Sequence, residues 1–289
     1  MNYLKRYQEM IKLRGLADHT MISYRTYITS YLDYIQNTLH KYPSQVTYKD
    51  TRLYLEHLKT ERGLSDRTIN CVISQIRFFT MYVLHRSWDH TEVPFRKFDT
   101  YMPYVPSQQE TKEFISTISD LKFKTMVVLM YSAGLRMGEV RHLRYEDISR
   151  KNMRIHITHG KNRSDRYAML SQYALDLLTQ YWYAYGRPTG WLFHQKRDPE
   201  KPIDKLYLSR MIHAHEDELG WPNRITSHSF RHAFGTHLYE NGADLLTIKS
   251  LMGHKSLAST EIYVHLSIGT GSSVVSPLDT MMNGGKQHA

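Results

Sequence analysis

The chain has 289 residues, 41% of them hydrophobic, with a formal net charge of +10 at neutral pH. That length leads us to expect two domains, and that composition argues against a disordered or membrane-spanning chain. No run of 18 apolar residues occurs, the N-terminus lacks an apolar stretch, and Cys71 is the one cysteine. No transmembrane helix, signal peptide or internal disulfide is therefore expected, and a reducing, cytosolic setting follows.

A globular chain this basic usually works beside a polyanion, nucleic acid above all, although solubilising surface charge gives the same balance. Residues 1–90 hold 13 Lys and Arg against 8 Asp and Glu, so the first third is the more densely basic.

Residues 1–86 read as four helices in a small bundle. Tyr24, Tyr27, Ile28, Tyr31 and Ile35 recur at helical spacing, as do Ile69, Val72, Ile73, Ile76, Phe79 and Val83. Cys71 is read as a packed small residue on that second stripe. Thr47 with Asp50 three residues later looks like a variant capping box ahead of Leu53, Leu55 and Leu58. Residues 14–20 (RGLADHT) and 62–68 (RGLSDRT) form a short repeat. Each Gly is expected to end one helix in a left-handed conformation, with Asp or Ser capping the next. Two such helix starts, with Arg25, Arg67 and Arg77 nearby, are candidate phosphate contacts.

Residues 87–106, with Pro94, Pro103 and Pro106, form the best linker candidate, and 91–106 is its narrower span. From Ser107 helices are expected near 108–118 and 121–132, then one holding Arg136 and Glu139. Met153, Ile155 and Ile157 alternate with polar residues, and a second strand is expected over 167–170. Further helices fit 172–185, 204–219, 228–240 and 244–252. Residues 266–289, rich in Gly, Ser and Thr, read as a mobile tail.

Four local signals carry chemistry. Ala133-Gly134-Leu135-Arg136-Met137-Gly138-Glu139 puts Arg136 and Glu139 on one helical face, which taken alone reads as a surface ion pair. Lys161 falls in the polar turn between the two strands, where a lysine is usually just solvated. His228 and Arg231 in His228-Ser229-Phe230-Arg231-His232 share a helix face and could grip a phosphate. Gly253-His254 is followed nine residues on by Tyr263, one of 22 tyrosines. In this order and spacing the signals resemble the tyrosine recombinase (phage integrase) family, whose boxes carry Arg, a hairpin Lys, H-x-x-R, G-H and a Tyr nine residues after that His. The resemblance spans residues 1–265.

It implies a mainly α fold with a small antiparallel sheet. The domains would be a helical core-binding (SAM-like) domain over 1–90 and a mixed α/β catalytic domain over 107–265. It further implies that Tyr263 attacks a DNA phosphate to form a 3′-phosphotyrosyl link. Arg136 and Arg231 would hold the nonbridging oxygens, and Lys161 would protonate the leaving 5′-oxygen. His228 would accept or relay the tyrosine proton and His254 would donate to the phosphate, with Glu139 and His232 in support. No cofactor is expected: no G-x-x-x-x-G-K-[ST] occurs, and no metal-ligand spacing such as H-E-x-x-H. The implied partner is double-stranded DNA at specific sites. A homotetramer would assemble on paired sites from a free monomer or weak dimer, in the cytoplasm at the nucleoid. Such an enzyme could serve a mobile element, a phage or a chromosome. A type IB topoisomerase and a catalytically silent DNA-binding regulator on the same scaffold are the alternatives.

Overall fold

Helical periodicity organises the first part of the chain into α1 (Tyr3–Leu13), α2 (Asp18–Asn37), α3 (Tyr48–Thr60) and α4 (Asp66–Tyr82). The computed structural model describes residues 2–99, 102–158, 165–222, 224–254 and 256–266, with the main chain alone at His265. The expected positions of Lys161 and of the tail past residue 266 lie outside these. The chain divides into two compact units, residues 1–101 and 102–289. Among the described residues no helix is long and apolar enough to cross a membrane.

In the first unit the capping box forms as its spacing suggests. Asp50 N–H donates to Thr47 Oγ1, and the Asp50 carboxylate accepts from Thr47 N–H at 2.9 Å and from Lys41 Nζ at 2.8 Å. Lys41 and the two Thr47 donors hold the Asp50 carboxyl below its usual range against the opposing effect of burial, the largest single influence on it. In the repeat, Gly15 and Gly63 are left-handed, with φ of 61° and 60°. Capping differs between the two copies. Ser65 caps α4 through its side chain, but at α2 the cap is Ala17, which has no hydroxyl, and Asp18 is already helical.

The core gathers Tyr7, Ile28, Tyr31, Ile35, Tyr54, Ile69, Ile76 and Phe79. Cys71 is exposed rather than packed, because it lies two residues past Ile69 on the far side of α4. Residues 88–98 lie along this unit. Val93 is buried, Trp88 meets Tyr48 edge-on, and Asn70 exchanges two hydrogen bonds with the Arg96 main chain.

The second unit runs α5 (Gln108–Thr117), α6 (Leu121–Ser132), α7 (Met137–Arg141), β1 (Ile148–Ser149), β2 (Arg154–Ile157), β3 (Arg166–Met169), α8 (Gln172–Ala184), α9 (Tyr207–Leu219), α10 (Ser227–Glu240), α11 (Leu245–Met252) and α12 (Ala258–Leu266). The fold is thus mainly helical with one small antiparallel sheet, in the order β1-β2-β3. The register pairs Ile155 with Ala168 and Ile157 with Arg166, so the buried residues of β2 and β3 share one face. Helix α6 is apolar on most of its circumference, with Phe123 and Met126–Met130 buried, and α8 and α10 pack against it. It is the post on which α5, α7, α8 and α10 pack.

The buried polar contacts of the first unit can be tested singly. Tyr7 Oη donates to Gln75 Oε1 at 2.8 Å in the α1–α4 interface, where both residues are buried. Tyr7→Phe leaves that oxygen without its donor and is expected to cost about 1–3 kcal/mol. Hydrogen exchange of the α1 and α4 amides measures it, and unchanged protection would show that another donor replaces the hydroxyl.

Candidate active site

The turn after α6 delivers the first cation. Arg136 is the N-cap of α7 and Glu139 its third residue. The Glu139 carboxylate accepts from Arg136 N–H and Arg136 Nη1, both at 2.8 Å, and from Arg166 Nη2 at 2.9 Å. The side chains are 21% (Arg136), 7% (Glu139) and 12% (Arg166) exposed. The pair that reads alone as a surface ion pair is therefore a largely buried, three-donor arrangement.

Helix α10 brings the second cation. Thr226 caps the helix, and the next turn carries Arg231, which is 3% exposed. Its Nη1 donates to Gly134 O and its Nη2 to Met252 O, the latter at 2.6 Å. One guanidinium thus ties the turn after α6 to the end of α11. Burial, and then the neighbouring Arg136 charge, pull its pKa down to about 10.

The last two helices bring the nucleophile candidate. Asp244 caps α11 by accepting from Leu246 and Thr247 N–H, and Gly253 ends that helix with φ of 63°. His254 Nδ1 lies 3.0 Å from Thr260 Oγ1 at the start of α12. Helix α12 turns Tyr263 inward, 1% exposed, against Phe234, Ile248 and Met252. Gly235 on α10 makes room for the ring: a Cβ there would stand 2.5 Å from Tyr263 Cζ. Two imidazoles lie beside the phenol. His254 stacks on it with centroids 6.1 Å apart and planes at 16°, and the His232 centroid is 6.0 Å away.

Burial pushes the Tyr263 pKa up to about 12, while Arg231 and Arg136 pull the other way. Burial lowers both imidazoles to about 4; His228 and Arg231 add to this at His232, and Arg231 and Arg136 at His254.

The structure therefore brings Arg136, Glu139, Arg231, His232, His254 and Tyr263 together. His228 is exposed in the first turn of α10, its ring 6.4 Å from His232. Lys161 lies outside the described residues, but the strands on either side, β2 and β3, are antiparallel neighbours. Among the DNA-contact candidates Arg25 and Arg67 are exposed and Arg77 is half-buried. Arg25 lines a polar hollow with Asp33, Tyr34, His57 and Arg62, and the Arg67 guanidinium sits 5.4 Å from the Phe98 ring centroid. Sequence reasoning gives Thr260 no role and counts Arg166 only as a basic neighbour and rival of Lys161 in the hairpin, not as a partner of Glu139. The one available signal was the place of Arg166 at the start of the second strand.

Chemically this is an anion site. Three guanidinium groups and one carboxylate leave surplus positive charge beside a buried phenol. Among the described residues no group of three or more His, Cys, Asp or Glu could hold a metal ion.

The model of the phage integrase family matches residues 107–269, and that of the phage integrase N-terminal SAM-like domain matches residues 3–90. The Sinorhizobium fredii protein y4qK is 32% identical over 278 residues, covering 96% of this chain and 88% of that protein. Tyrosine recombinase XerD of Staphylococcus aureus is 28% identical over 284 residues, covering 91% and 94%. A structure of the Tn1549 transposon integrase in complex with a circular intermediate DNA superposes with a TM-score of 0.73 at 19% identity, covering 91% of this chain and 94% of that one. At that identity the likeness is one of fold.

The histidine environment has a consequence for pH. His232 and His254 titrate near 4 in the folded chain, against an ordinary value of 6.5. The unfolded chain then binds more protons between these values, so the stability tied to both groups is complete above pH 6.5 and is lost as pH falls toward 4. Both imidazole resonances are expected to stay flat from pH 8 to pH 6 in proton NMR. Midpoints near 6.5 would show that solvent reaches the rings.

Proposed function

The chain belongs to the phage integrase family, and on that premise we propose that it is a site-specific DNA recombinase that uses Tyr263 as its nucleophile. The observation that carries this reading is that the buried Tyr263 has two imidazoles beside it and lies within electrostatic reach of Arg136 and Arg231. Tyr263 Oη attacks the scissile phosphorus, the P–O5′ bond breaks, and a 3′-phosphotyrosyl link keeps the bond energy for rejoining. A 5′-hydroxyl from a second strand reverses the step and releases the tyrosine. No nucleotide is required.

Arg136 and Arg231 offset the charge that grows on the nonbridging oxygens, where preorganised donors are most effective. Backbone carbonyls pin the Arg231 guanidinium but use only part of its donor set. In the tautomer with its proton on Nε2, the neutral His254 ring accepts from Thr260 Oγ1 at Nδ1 and can donate to a phosphate oxygen. The proton of Tyr263 passes to the histidines. His232 is the ring beside it, and His228, more exposed, relays onward. A phenol near 12 facing imidazoles near 4 gives up its proton uphill. A phosphodiester placed among these groups adds negative charge and raises the imidazole basicity. Lys161 supplies the proton to the departing 5′-oxygen.

The partner is double-stranded DNA carrying a specific site, contacted through phosphates by Arg25, Arg67 and Arg77 as well as by the catalytic unit. Four copies act on a pair of sites in the cytoplasm, at the nucleoid. The relatives named as recombinase and integrase favour strand exchange over relaxation of supercoils, and a filled site disfavours a silent regulator.

Tyr263→Phe is expected to retain DNA binding and lose all covalent adduct. Nicked duplexes from a random-sequence pool, incubated with the full chain and resolved on a denaturing gel, provide the assay. A persistent adduct in the variant would move the nucleophile to another tyrosine.

Lys161 is tested by changing the leaving group. An alkoxide needs a proton, whereas a thiolate leaves without one. Lys161→Ala should lose roughly 10²–10⁴-fold on ordinary DNA and largely recover when sulfur replaces the bridging 5′-oxygen. Equal loss on both substrates would reassign Lys161 to binding.

A further inference from the structure

Strand β3 delivers a third guanidinium to the site, and the roles above leave it without a task. Arg166 is the first residue of β3, paired in register with Ile157, and its side chain is 12% exposed. Its Nη2 donates to Glu139 Oε2, the same oxygen that takes the Arg136 N–H, while Glu139 Oε1 takes Arg136 Nη1. The carboxylate is thus a bracket, gripped by Arg166 on one oxygen and presenting Arg136 from the other.

The stem of Arg166 makes a second contact. Its Cδ and Nε fill the space over Gly253, where a Cβ would stand 2.6 Å from Nε. Gly253 is left-handed and immediately precedes His254. Arg166 therefore touches both the turn that carries His254 and the carboxylate that orients Arg136.

Stability does not account for this placement. Nε and Nη1 are buried with no hydrogen-bond partner among the described residues. Burial, together with the nearby Arg136 charge, disfavours the charged form, and Glu139 only partly opposes them. A buried guanidinium with one anionic partner and idle donors is on balance a cost to folding. What it supplies is geometry.

We propose that Arg166 is a positioning residue for strand transfer: it locks Glu139 so that Arg136 presents its guanidinium in one orientation, and it fills the space over Gly253 so that His254 keeps its place beside Tyr263. The inference rests on the recombinase reading above.

The test compares two scissile groups in duplexes captured covalently by the wild-type chain, one with the natural phosphodiester and one with a neutral methylphosphonate. Arg136 and His254 serve the charged nonbridging oxygens, so a residue acting through them matters less when that charge is gone. On the phosphodiester, Arg166→Ala is expected to slow adduct formation about 10²-fold, as a small misplacement of catalytic groups does, with DNA affinity close to that of the wild type. On the methylphosphonate, Arg166→Ala and Arg136→Ala should recover together toward the wild-type rate. Arg166→Lys, which keeps the charge but not the fork, should fall between. Should Arg166→Ala not fold, as judged by circular dichroism, Arg166→Lys and Arg166→Gln carry the same comparison. Equal slowing on both substrates, or none on the phosphodiester, would overturn the inference while leaving the recombinase reading intact. Failure of the wild-type chain to form an adduct with any duplex would remove that reading and the inference with it.

Discussion

One carboxylate holds the site in being. Arg136, Arg166 and Arg231 crowd into a poorly solvated space, and like charges about 4 Å apart repel by around 4 kcal/mol even at a moderately screened dielectric. Glu139 is what lets them stay. It accepts from Arg136 twice and from Arg166 once, joining α7 to β3. Because it neutralises only part of the positive charge, the cluster keeps a standing demand for an anion. The same surplus helps keep His232 and His254 neutral, since each imidazole feels the guanidinium groups before any substrate does.

The scaffold is built to hold that charge still. Arg231 is pinned by main-chain carbonyls from two separate elements, so its orientation does not depend on any other side chain. Helix α6 supplies the apolar post, with α10 packed on it, and α10 in turn carries Arg231, His232 and the Gly235 gap that receives Tyr263. A phenol in that gap has little freedom, because ordinary side chains at position 235 would collide with it. Rigid framing matters for the proposed reaction, in which positioning and electrostatics do most of the work.

Much of this was legible in the sequence, for physical reasons that differ by element. The helices of the first unit announce themselves because their buried stripes recur every three or four residues, and the Thr47–Asp50 box because capping is a local bond. Strand β1 carries no sequence signal, since two residues cannot display a period. Helix α12 carries little either. Its start is rich in small polar residues, and what fixes it is packing on α10 and α11, which are remote contacts. Cys71 differs from its sequence expectation because an apolar residue amid a stripe looks buried until the helix phase is fixed. Arg136, Arg231, His254 and Tyr263, which the structure gathers, stand out in the sequence through their order. Arg166 shows in the sequence only as a basic neighbour of Lys161, because its positioning contacts lie with Glu139, 27 residues before it, and with the turn at Gly253.

On the proposed reading, the electrostatics also bear on when Tyr263 can act. In the folded chain the phenol holds its proton more tightly than a free tyrosine, and the nearest imidazoles are weaker bases than free histidine. Both shifts originate chiefly in burial, with the guanidinium charges lowering the imidazoles further and partly relieving the phenol. A phosphodiester seated on the arginines brings a negative charge that favours protonation of the imidazoles. On the proposed reading, the phenol oxygen begins to bond to phosphorus as its proton leaves, so a free tyrosinate need not form first. The substrate thereby completes the machinery that attacks it. A cluster whose positive charge exceeds its single carboxylate is suited to this logic, since a fully neutralised site would give an arriving phosphate nothing to change.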